Sequence, residues 1–405
     1  MAEWDRQVFG GVKVLKFLKN YLKYLMNIYK SKKRQKRKLY NYIDLDVIEN
    51  KFPKKVNRII FIIPSMAKFS GGHTSILRLG TELSKKYEVF YASYIEDNID
   101  KMKNAAFINL KNYKGKIINL SEIETNEEDI LIATFWESVY FSKKLKGYKM
   151  YFVQDYEPYF YSYGEDYILA KETYNFGYHI VSLGKWNLKK IKEENSGKNS
   201  ILNFIEFPYE KKEYPNIGRD YSLYKEKKEI KLCVYVKNES KRIPYIIENI
   251  LKKLKFELKE KKNIDLLITY FGNENYLNLS EGKSLGKITK EQLLKLYQES
   301  DFGMCASLTN ISLVPYEMMA TGLPVIEFIE GSFTSFFSEE CGILTDFNYK
   351  TLLEEMIYYL ENPNLIEKCC QSAKEELKNL SWQKSGQQFI NIIENLNKIG
   401  DNFND

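Results

Sequence analysis

Short apolar runs alternate with helical patterns along the first half of the chain from Arg58 onward. Few polar residues interrupt these runs, and turn residues separate them, as is typical of parallel strands that helices cover on both faces. A helix is predicted over 74–86, soon after the first run. The predicted strands of this half are 59–65, 87–95, 129–136, 150–155 and 178–183. The pattern indicates a doubly wound α/β domain.

The same alternation restarts after a charged, aromatic and turn-rich linker at 214–229. Strands are predicted at 230–236, 264–272, 302–307 and 324–328. Helices are predicted at 243–260, 289–300, 316–320, 349–361, 364–380 and 382–398. The fold class is therefore α/β, with two Rossmann-like doubly wound domains at 39–213 and 230–380 and a C-terminal helical segment at 381–405. Two such domains leave a cleft between the carboxyl ends of their strands, where nucleotide-type ligands bind.

The positive charge of the chain is concentrated at its amino end. The whole sequence has 61 Lys and Arg against 54 Asp and Glu, a net charge of +7. Residues 1–38 hold 12 of the basic and 2 of the acidic groups, so the other 367 residues hold 49 and 52 and carry a net charge of −3. A nucleic-acid-binding protein usually carries a basic face on its folded domain. The distribution therefore argues against nucleic acid as a partner.

Segment 1–38 has the pattern of a basic amphipathic helix. Apolar residues recur at helical spacing from Val14 to Tyr29, lysines fill the gaps, and a basic cluster follows at 30–38. Such a helix can lie in the headgroup layer of an anionic membrane, where each basic residue is worth about 1 kcal/mol. A helix packed on its own domain or on a partner, and a nucleic-acid contact, are the open alternatives. We predict peripheral docking on the cytoplasmic face of the cell membrane, since no apolar run reaches the roughly 18 residues of a span and no cleavable leader is evident.

The segment Ser70-Gly71-Gly72-His73-Thr74 lies between the first predicted strand and the first helix. Glycines let backbone amides approach an anion closely, and a helix start adds its dipole and free amides. The alternative is a tight strand-to-helix turn with Thr74 as the N-cap. We predict an anion-binding turn at Gly71 and Gly72.

Residues 307–326 (SLTNISLVPYEMMATGLPVI) combine a strand end, a polar loop, a helix start and a Gly-x-Pro stop before the next strand. Backbone amides near Ser312, Leu313 and Val314 are candidates to hold a diphosphate. Glu317 lies in the first helical turn, where a carboxylate gains roughly 0.3–1 kcal/mol from the helix dipole. That gain is the structural interpretation of Glu317. The functional interpretation is that Glu317 accepts a hydrogen bond from a ribose hydroxyl.

The passage 286–328 resembles the donor-site motif of retaining glycosyltransferases of family 4, which have the two-domain GT-B architecture. The similarity runs from about Arg58 to Leu396 and is specific within that passage. It implies that the second domain binds a nucleotide sugar, that the first binds the acceptor, and that segment 381–405 crosses back to the first domain. The family usually has a second Glu where this chain has Thr309. This departure concerns the contact near the sugar 3- and 4-hydroxyls and suggests a different hexose, such as a deoxy sugar.

A narrower resemblance is to rhamnosyltransferases that build surface-layer and rhamnan glycans. It rests on Gly71-Gly72-His73 with Arg78 downstream, on the run 152–158 (FVQDYEP), and on the basic pair Lys237 and Arg242. In the wider family an Arg and a Lys after the first strand of the second domain bind the diphosphate. A lysine at 237 keeps the charge but loses the bidentate geometry of an arginine. The resemblance implies these phosphate ligands: Lys237, Arg242 and, as a third candidate, Lys241.

The end of a predicted strand that faces the cleft carries Gln154, Asp155 and Tyr156. Many members of the resembled family have a His here that contacts the donor sugar. In this chain Gln154 or Asp155 stands in place of that His. We predict that Asp155 orients the acceptor hydroxyl or takes its proton, with His73, Gln154 and Tyr156 as further acceptor contacts. The alternative is a loop aspartate that binds local backbone amides.

The sequence predicts no metal site. The five cysteines form no CxxC pair and are expected to be reduced, and there are only two histidines, so zinc bound by Cys and His is not expected. Asp44-Leu-Asp46 matches the DxD pattern of metal–nucleotide sites, but it precedes the first strand instead of ending one. Basic side chains and helix amides would neutralise a leaving diphosphate instead.

The function that these resemblances imply is hexosyl transfer in bacterial surface polysaccharide synthesis, with retention at the anomeric carbon. The donor would be dTDP-rhamnose or a UDP-sugar, and the acceptor a glycan or a lipid-linked glycan. The predicted catalytic residues are Asp155, Lys237 and Arg242. The predicted donor-binding residues are Gly71, Gly72, Lys237, Arg242, Thr309, Ser312, Leu313, Val314 and Glu317. The alternatives are a glucosyl- or galactosyltransferase of capsule or lipopolysaccharide, and a non-catalytic GT-B scaffold.

Overall fold

A computed structural model of the chain describes residues 21–23, 25, 26, 29, 39–273 and 279–396. The described residues up to Asp46 and those from Val47 onward form separate compact units. Most of the predicted amphipathic helix and the basic cluster at 30–38 lie outside the described residues, and the described positions from 21 to 29 are helical. Within the described ranges, no helix combines the length and the apolar character that a membrane span requires.

The first domain is built on a parallel sheet of seven strands. The strands are β1 Arg58–Ile63, β2 Glu88–Ser93, β3 Lys116–Asn119, β4 Asp129–Ala133, β5 Tyr148–Val153, β6 His179–Leu183 and β7 Leu202–Ile205. The helices are α1 Gly71–Leu83, α2 Ile99–Asn109, α3 Trp136–Ser142, α4 Glu165–Glu172 and α5 Lys185–Glu193. The strand order is β3-β2-β1-β4-β5-β6-β7. Strands β4 and β6 are buried along their whole length, which explains their uninterrupted apolar character.

The second domain repeats this plan with six parallel strands. The strands are β8 Glu229–Tyr235, β9 Asp265–Phe271, β10 Gly282–Ser284, β11 Phe302–Met304, β12 Val325–Phe328 and β13 Ile343–Thr345. The helices are α6 Pro244–Lys262, α7 Lys290–Glu299, α8 Leu313–Ala320, α9 Tyr349–Glu361, α10 Pro363–Leu377 and α11 Trp382–Glu394. The order β10-β9-β8-β11-β12-β13 is that of a Rossmann sheet, with its reversal beside β8. The prediction of two doubly wound α/β domains is confirmed.

The ends of several elements differ from the prediction for local reasons. Helix α1 begins at Gly71 and not at residue 74, because Ser70 is the N-cap and its hydroxyl accepts from the His73 amide at 3.3 Å. The predicted strand 129–136 was too long, since β4 ends at Ala133 and a helix begins at Trp136. Strands β3, β7, β10 and β13, which have only three or four residues each, were not predicted.

Helix α11 packs against α1 of the first domain. A Cβ placed on Gly386 of α11 would lie 2.3 Å from the Cβ of Glu82 in α1, so only glycine permits this approach. Beside this contact, the Ser385 hydroxyl donates to the Glu206 carbonyl at 2.8 Å, and the Gln388 side-chain oxygen accepts from the Glu206 amide at 2.8 Å. The C-terminal helix is therefore fixed to the end of β7.

The segment 206–228, which connects β7 to β8, carries carboxylates that bind helices of both domains. Arg78 of α1 is 8% exposed, and its guanidinium donates to Glu210 and to Glu213 at 2.9 Å each. Glu213 also accepts from Lys290 of α7 at 3.0 Å. These ion pairs join a first-domain helix to a second-domain helix through the connecting segment.

His179 is buried inside the first sheet as a neutral ring. Its Nε2 lies 2.7 Å from Asn203 Oδ1, which can only accept, so Nε2 carries the proton. Its Nδ1 lies 3.1 Å from the Tyr148 hydroxyl, which donates. Burial lowers the pKa of His179 to about 4.

This lowered pKa makes His179 a source of acid sensitivity. At pH values between the usual pKa of about 6.5 and the folded pKa, His179 is protonated in the unfolded chain but not in the folded chain. The free energy of unfolding therefore falls by up to about 1.4 kcal/mol per pH unit as the pH decreases. Urea unfolding from about pH 7 to about pH 4.5 should show a smaller loss of stability in His179→Gln than in the wild type. Equal losses in the two proteins would contradict this assignment.

Candidate functional site

The carboxyl ends of β8 and β11 meet where the strand order of the second sheet reverses, which is the usual ligand position in α/β sheets. The turn 236–242 follows β8, and the loop 305–312 follows β11. Arg242 connects them, because its Nη1 donates to the Ala306 carbonyl at 2.8 Å. Two segments that the sequence predicted to hold a diphosphate are thus side by side.

Arg242 has unused hydrogen-bonding capacity although it is only 6% exposed. Its Cζ lies 5.5 Å from the centre of the Tyr235 ring, and its Nε–H has no partner within the described part of the chain. A buried N–H without a partner is costly, so a ligand oxygen that accepts from it would be bound favourably. The guanidinium therefore suits an anion at the end of β8.

Glu327 is a buried carboxyl group on the neighbouring strand β12. Its oxygens accept from the Ser307 amide at 3.0 Å and from the Ser307 hydroxyl at 2.6 Å. Burial raises the pKa of Glu327 to about 7, against the opposing effects of the Ser307 hydrogen bonds and the Arg242 charge. The sequence analysis missed this residue, although a lone charge within the apolar strand 324–328 was a usable signal.

The two lysines of the turn after β8 have different surroundings. Lys237 Nζ lies 3.7 Å from Glu239 and 6.0 Å from the centre of the Tyr235 ring. Burial lowers the pKa of Lys237, but the effects of Tyr235 and Glu239 outweigh this and leave the pKa above its usual value. The lysine therefore stays charged. Lys241 Nζ lies 2.9 Å from Asp155 Oδ2 in the first domain. Lys237 is therefore the better candidate for a bound anion, and the charge of Lys241 is already paired.

The start of α8 offers a second set of donors beside this turn. Ser312 is the N-cap by position, but its side chain caps no amide, and its buried hydroxyl has no partner in the described ranges. The first-turn amides of a helix have no intrahelical acceptor, and these include the amides of Leu313 and Val314. Oxygens of a phosphate group would satisfy both kinds of donor.

Glu317 lies one turn further along α8, beside two tyrosines, and not in the first turn as predicted, because the helix begins at Leu313. Its Oε2 accepts from the Tyr297 hydroxyl at 3.3 Å. Burial raises the pKa of Glu317 to about 7, and hydrogen bonds from Tyr214 and Tyr297 partly oppose that rise. A further hydroxyl donor from a ligand would favour the ionised carboxylate.

Gly71 and Gly72 are exposed at the start of α1. A Cβ on Gly71 would contact nothing within 4 Å, and a Cβ on Gly72 would lie 3.6 Å from the Gln154 side-chain amide. The chain itself therefore leaves open space in front of Gly71. Thr74 is not the cap that we considered, since its hydroxyl donates back to the Ser70 carbonyl at 2.9 Å.

His73 is a neutral ring at the same edge of the first sheet. Its Nδ1 accepts from the Ala67 amide at 3.2 Å. Burial lowers the pKa of His73 to about 4. At neutral pH the ring thus carries no charge and fixes the loop after β1.

Asp155 lies at the end of β5, and both of its oxygens are engaged. Oδ2 accepts from Lys241 at 2.9 Å and from the Thr309 hydroxyl at 2.8 Å. Oδ1 accepts from the Asn310 amide and the Tyr156 amide, both at 2.9 Å. Thr309, predicted to bind the nucleotide sugar, therefore forms a hydrogen bond with Asp155, which was predicted to bind the glycan acceptor.

Tyr156 is completely buried. Its ring stacks on Tyr174 at 5.5 Å and contacts Tyr159 edge-on at 4.9 Å. An acceptor could reach Tyr156 only if this packing opened. The predicted contact between Tyr156 and the glycan acceptor would therefore require a conformational change.

Glycine at 184 allows a further contact between the two domains. Gly184 has a φ of +84°, and a Cβ there would lie 2.2 Å from Phe336 of the second domain. The sequence analysis did not single out Gly184, because a glycine after a strand gives no sign of a partner so distant in the chain.

Asp44-Leu-Asp46 forms a local turn in which the Asp46 amide donates to Asp44 Oδ1 at 2.9 Å. Across the described ranges, no three His, Cys, Asp or Glu side chains group closely enough to hold a metal ion.

Solved structures with the same GT-B architecture cover most of this chain. HepE of Anabaena in complex with UDP-glucose has a TM-score of 0.65 and 13% identity, over 83% of this chain and 99% of that one. A variant of TarM from S. aureus, in complex with fondaparinux, alpha-GlcNAc-glycerol and UDP, has a TM-score of 0.63 and 9% identity, over 84% and 100%. WaaG, a glycosyltransferase involved in lipopolysaccharide biosynthesis, has a TM-score of 0.54 and 13% identity, over 83% and 99%. The predicted GT-B fold is confirmed.

Sequence comparison adds a partial match. The O-antigen biosynthesis protein RfbC of Myxococcus xanthus is 27% identical over 207 residues, which are 49% of this chain and 15% of that protein. No model of a protein family matches the chain.

Proposed function

We propose that this chain transfers a sugar from a nucleoside diphosphate donor to a glycan acceptor during polysaccharide synthesis. The observation that carries the proposal is the set of unsatisfied donors at the switch point of the second sheet, namely Arg242 Nε and Ser312 Oγ beside the free amides of α8. With Lys237 they offer two charges and several N–H and O–H groups to one diphosphate. Glu317 on the same helix supplies an acceptor for a ribose hydroxyl.

The comparisons support a nucleotide sugar as the donor. HepE binds UDP-glucose, and the TarM complex contains UDP. A UDP-sugar is therefore our first candidate for this chain. The resemblance of Gly71-Gly72-His73 and the 152–158 run to rhamnosyltransferases makes dTDP-rhamnose the second. A glucosyl or galactosyl donor for capsule or lipopolysaccharide is the third, which the match of the fold to WaaG supports.

The chemistry that we propose proceeds with retention and without a covalent intermediate. The bond between the anomeric carbon and the phosphate oxygen breaks, and Lys237, Arg242 and the α8 amides stabilise the charge on the departing diphosphate. The acceptor hydroxyl then attacks the oxocarbenium-like sugar from the same face. Its proton passes to the departing phosphate oxygen. Open space in front of Gly71 suits a ligand between the domains.

A panel of nucleotide sugars, screened by thermal shift and then by donor hydrolysis, tests this function. A donor present at 100 times its Kd should stabilise the folded chain by about 2.7 kcal/mol. Slow hydrolysis of the same donor without acceptor would indicate an enzyme. Binding without any turnover would identify the non-catalytic scaffold that we considered, and no binding of any member would remove the proposal.

Arg242→Ala and Glu317→Gln should each weaken donor binding. Loss of a hydrogen bond to a charged group costs roughly 1.5–3 kcal/mol, or about 10- to 100-fold in Kd. In the wild type, ionisation of Glu317 through its pKa of about 7 should favour donor binding, because a ribose hydroxyl binds the ionised form. Calorimetric titrations across that pH range should therefore show that the ratio of donor affinity in the wild type to that in Glu317→Gln rises with pH. Unchanged affinity in both variants would remove these residues from the site.

We propose that sugar transfer needs no metal ion, because Lys237, Arg242 and the amides of α8 stabilise the charge of the departing diphosphate. Activity should therefore persist after dialysis against EDTA, and magnesium or manganese should not increase it. Turnover that stops with EDTA and returns with either metal would overturn this proposal.

We propose that segment 1–38 docks the enzyme on the cytoplasmic face of the membrane, where a lipid-linked acceptor would be presented. Its described apolar side chains expose between 41% and 65% of their surface: Tyr21, Leu22, Leu25, Met26 and Tyr29. An apolar stripe and a basic cluster act together in such docking.

Sedimentation with anionic vesicles should therefore fall as salt rises, since charge attraction is screened over about 8–10 Å at physiological ionic strength. Deletion of 1–38 should abolish sedimentation and spare transfer to a short soluble acceptor. A truncated protein that still pelleted would place the docking site elsewhere. If the full chain did not bind vesicles, packing of segment 1–38 on a partner protein would be the better interpretation.

A further inference from the structure

Asp155 uses its whole accepting capacity in this structure. A carboxylate offers about four lone-pair sites, and the Asp155 oxygens accept from Lys241 Nζ, Thr309 Oγ1 and the amides of Asn310 and Tyr156. The residue is 9% exposed. No acceptor site is left over for a substrate hydroxyl unless one of these bonds breaks.

Three of the four donors belong to the second domain, and they come from two separate segments. Lys241 directly precedes Arg242 in the turn after β8. Thr309 and Asn310 lie in the loop that leads to Ser312 and the start of α8. These are the two segments that would share the diphosphate. One first-domain carboxylate therefore fixes both of them relative to each other.

Asn310 strengthens the contact by reaching the edge of the first sheet. It is 2% exposed, and its side-chain Nδ2 donates to the Gln154 carbonyl at 2.7 Å and to the Leu183 carbonyl at 2.9 Å. These carbonyls directly follow β5 and end β6. Lys241 Nζ also lies 4.0 Å from the centre of the Phe160 ring. Charge-assisted bonds shielded from water are stronger than neutral, exposed ones, so this contact fixes a definite arrangement of the two domains.

We propose that Asp155 is a positioning residue that joins the two domains and assembles the diphosphate site, and that it does not take the acceptor proton. The proposal rests on the proposed function for the meaning of that site. A general base must present a free lone pair to the proton it removes, whereas a positioning residue must keep its bonds. The four bonds of Asp155 match the second requirement.

Kinetics of Asp155→Asn, Thr309→Val and Lys241→Met would separate the two roles. Each change removes a charge or a hydroxyl at nearly constant size. We expect Asp155→Asn to lower kcat and to weaken UDP or dTDP binding (whichever the wild type binds) by about 10- to 100-fold. The pH profile of kcat should keep its shape, because no titrating base is lost. Loss of the acidic limb of that profile in Asp155→Asn would show that Asp155 is the base, and would overturn the proposal.

Coupling between the partners provides the second measurement. The double variant Asp155→Asn/Thr309→Val should be no worse than Asp155→Asn alone, because both changes remove the same bond. Fully additive losses would contradict the proposal. Asp100→Asn is the matched control, since this first-domain aspartate is exposed and distant in sequence from the contact; it should behave as the wild type.

Small-angle X-ray scattering of the nucleotide-free proteins tests the domain contact without reference to activity. Asp155→Asn should have a larger radius of gyration than the wild type and Asp100→Asn. If the wild type binds no nucleotide but the scattering changes as expected, the proposed function fails and the domain contact stands. If the wild type transfers sugar and Asp155→Asn matches it in scattering and kinetics, the positioning role fails alone.

Discussion

Helices cover both faces of each parallel sheet, so the strands have little room for polar side chains along their length. Buried carboxylates in two of the strands are bound within the chain. Asp129 in β4 accepts two bonds from Arg58, at 2.7 and 2.6 Å, and Glu327 in β12 accepts two from Ser307. The remaining polar chemistry lies in the loops at the carboxyl ends of the strands. In this chain the loops at the carboxyl ends of the two sheets meet, where Asp155 accepts from Lys241 and Thr309.

Ion pairs, some of them largely buried, support the arrangement of the two domains beside the apolar packing. Arg78 joins the connecting segment to α1, and Glu213 extends that network to Lys290. At the cleft, Lys241 pairs with Asp155. Removal of one partner from such a pair leaves an uncompensated buried charge, which is more costly than the pair is favourable. The pairs therefore favour one relative placement of the domains over others.

Much of the fold could be predicted because buried parallel strands are apolar without alternation, which marks their positions along the chain. Element ends were harder, since α1 begins where Ser70 caps it and not where its apolar pattern begins. In the site, Glu317 could be proposed from its place near a helix start, whereas Arg242 was proposed from the resemblance to a known family. The partners of Asp155 could not, because Lys241 and Asn310 are 86 and 155 residues away and meet it only when the domains pack.

The protonation of Glu327 decides how much positive charge the site offers to a diphosphate. With a pKa of about 7 raised by burial, this carboxyl is partly protonated at neutral pH. When it is ionised, it offsets the charge of neighbouring Arg242, and when it is protonated, that charge is available to the ligand. An entering diphosphate would disfavour the ionised form and so would promote proton uptake at Glu327. Glu317 would respond in the opposite direction, because a ribose hydroxyl favours its carboxylate. The two buried acids would therefore change nucleotide affinity in opposite directions as the pH increases.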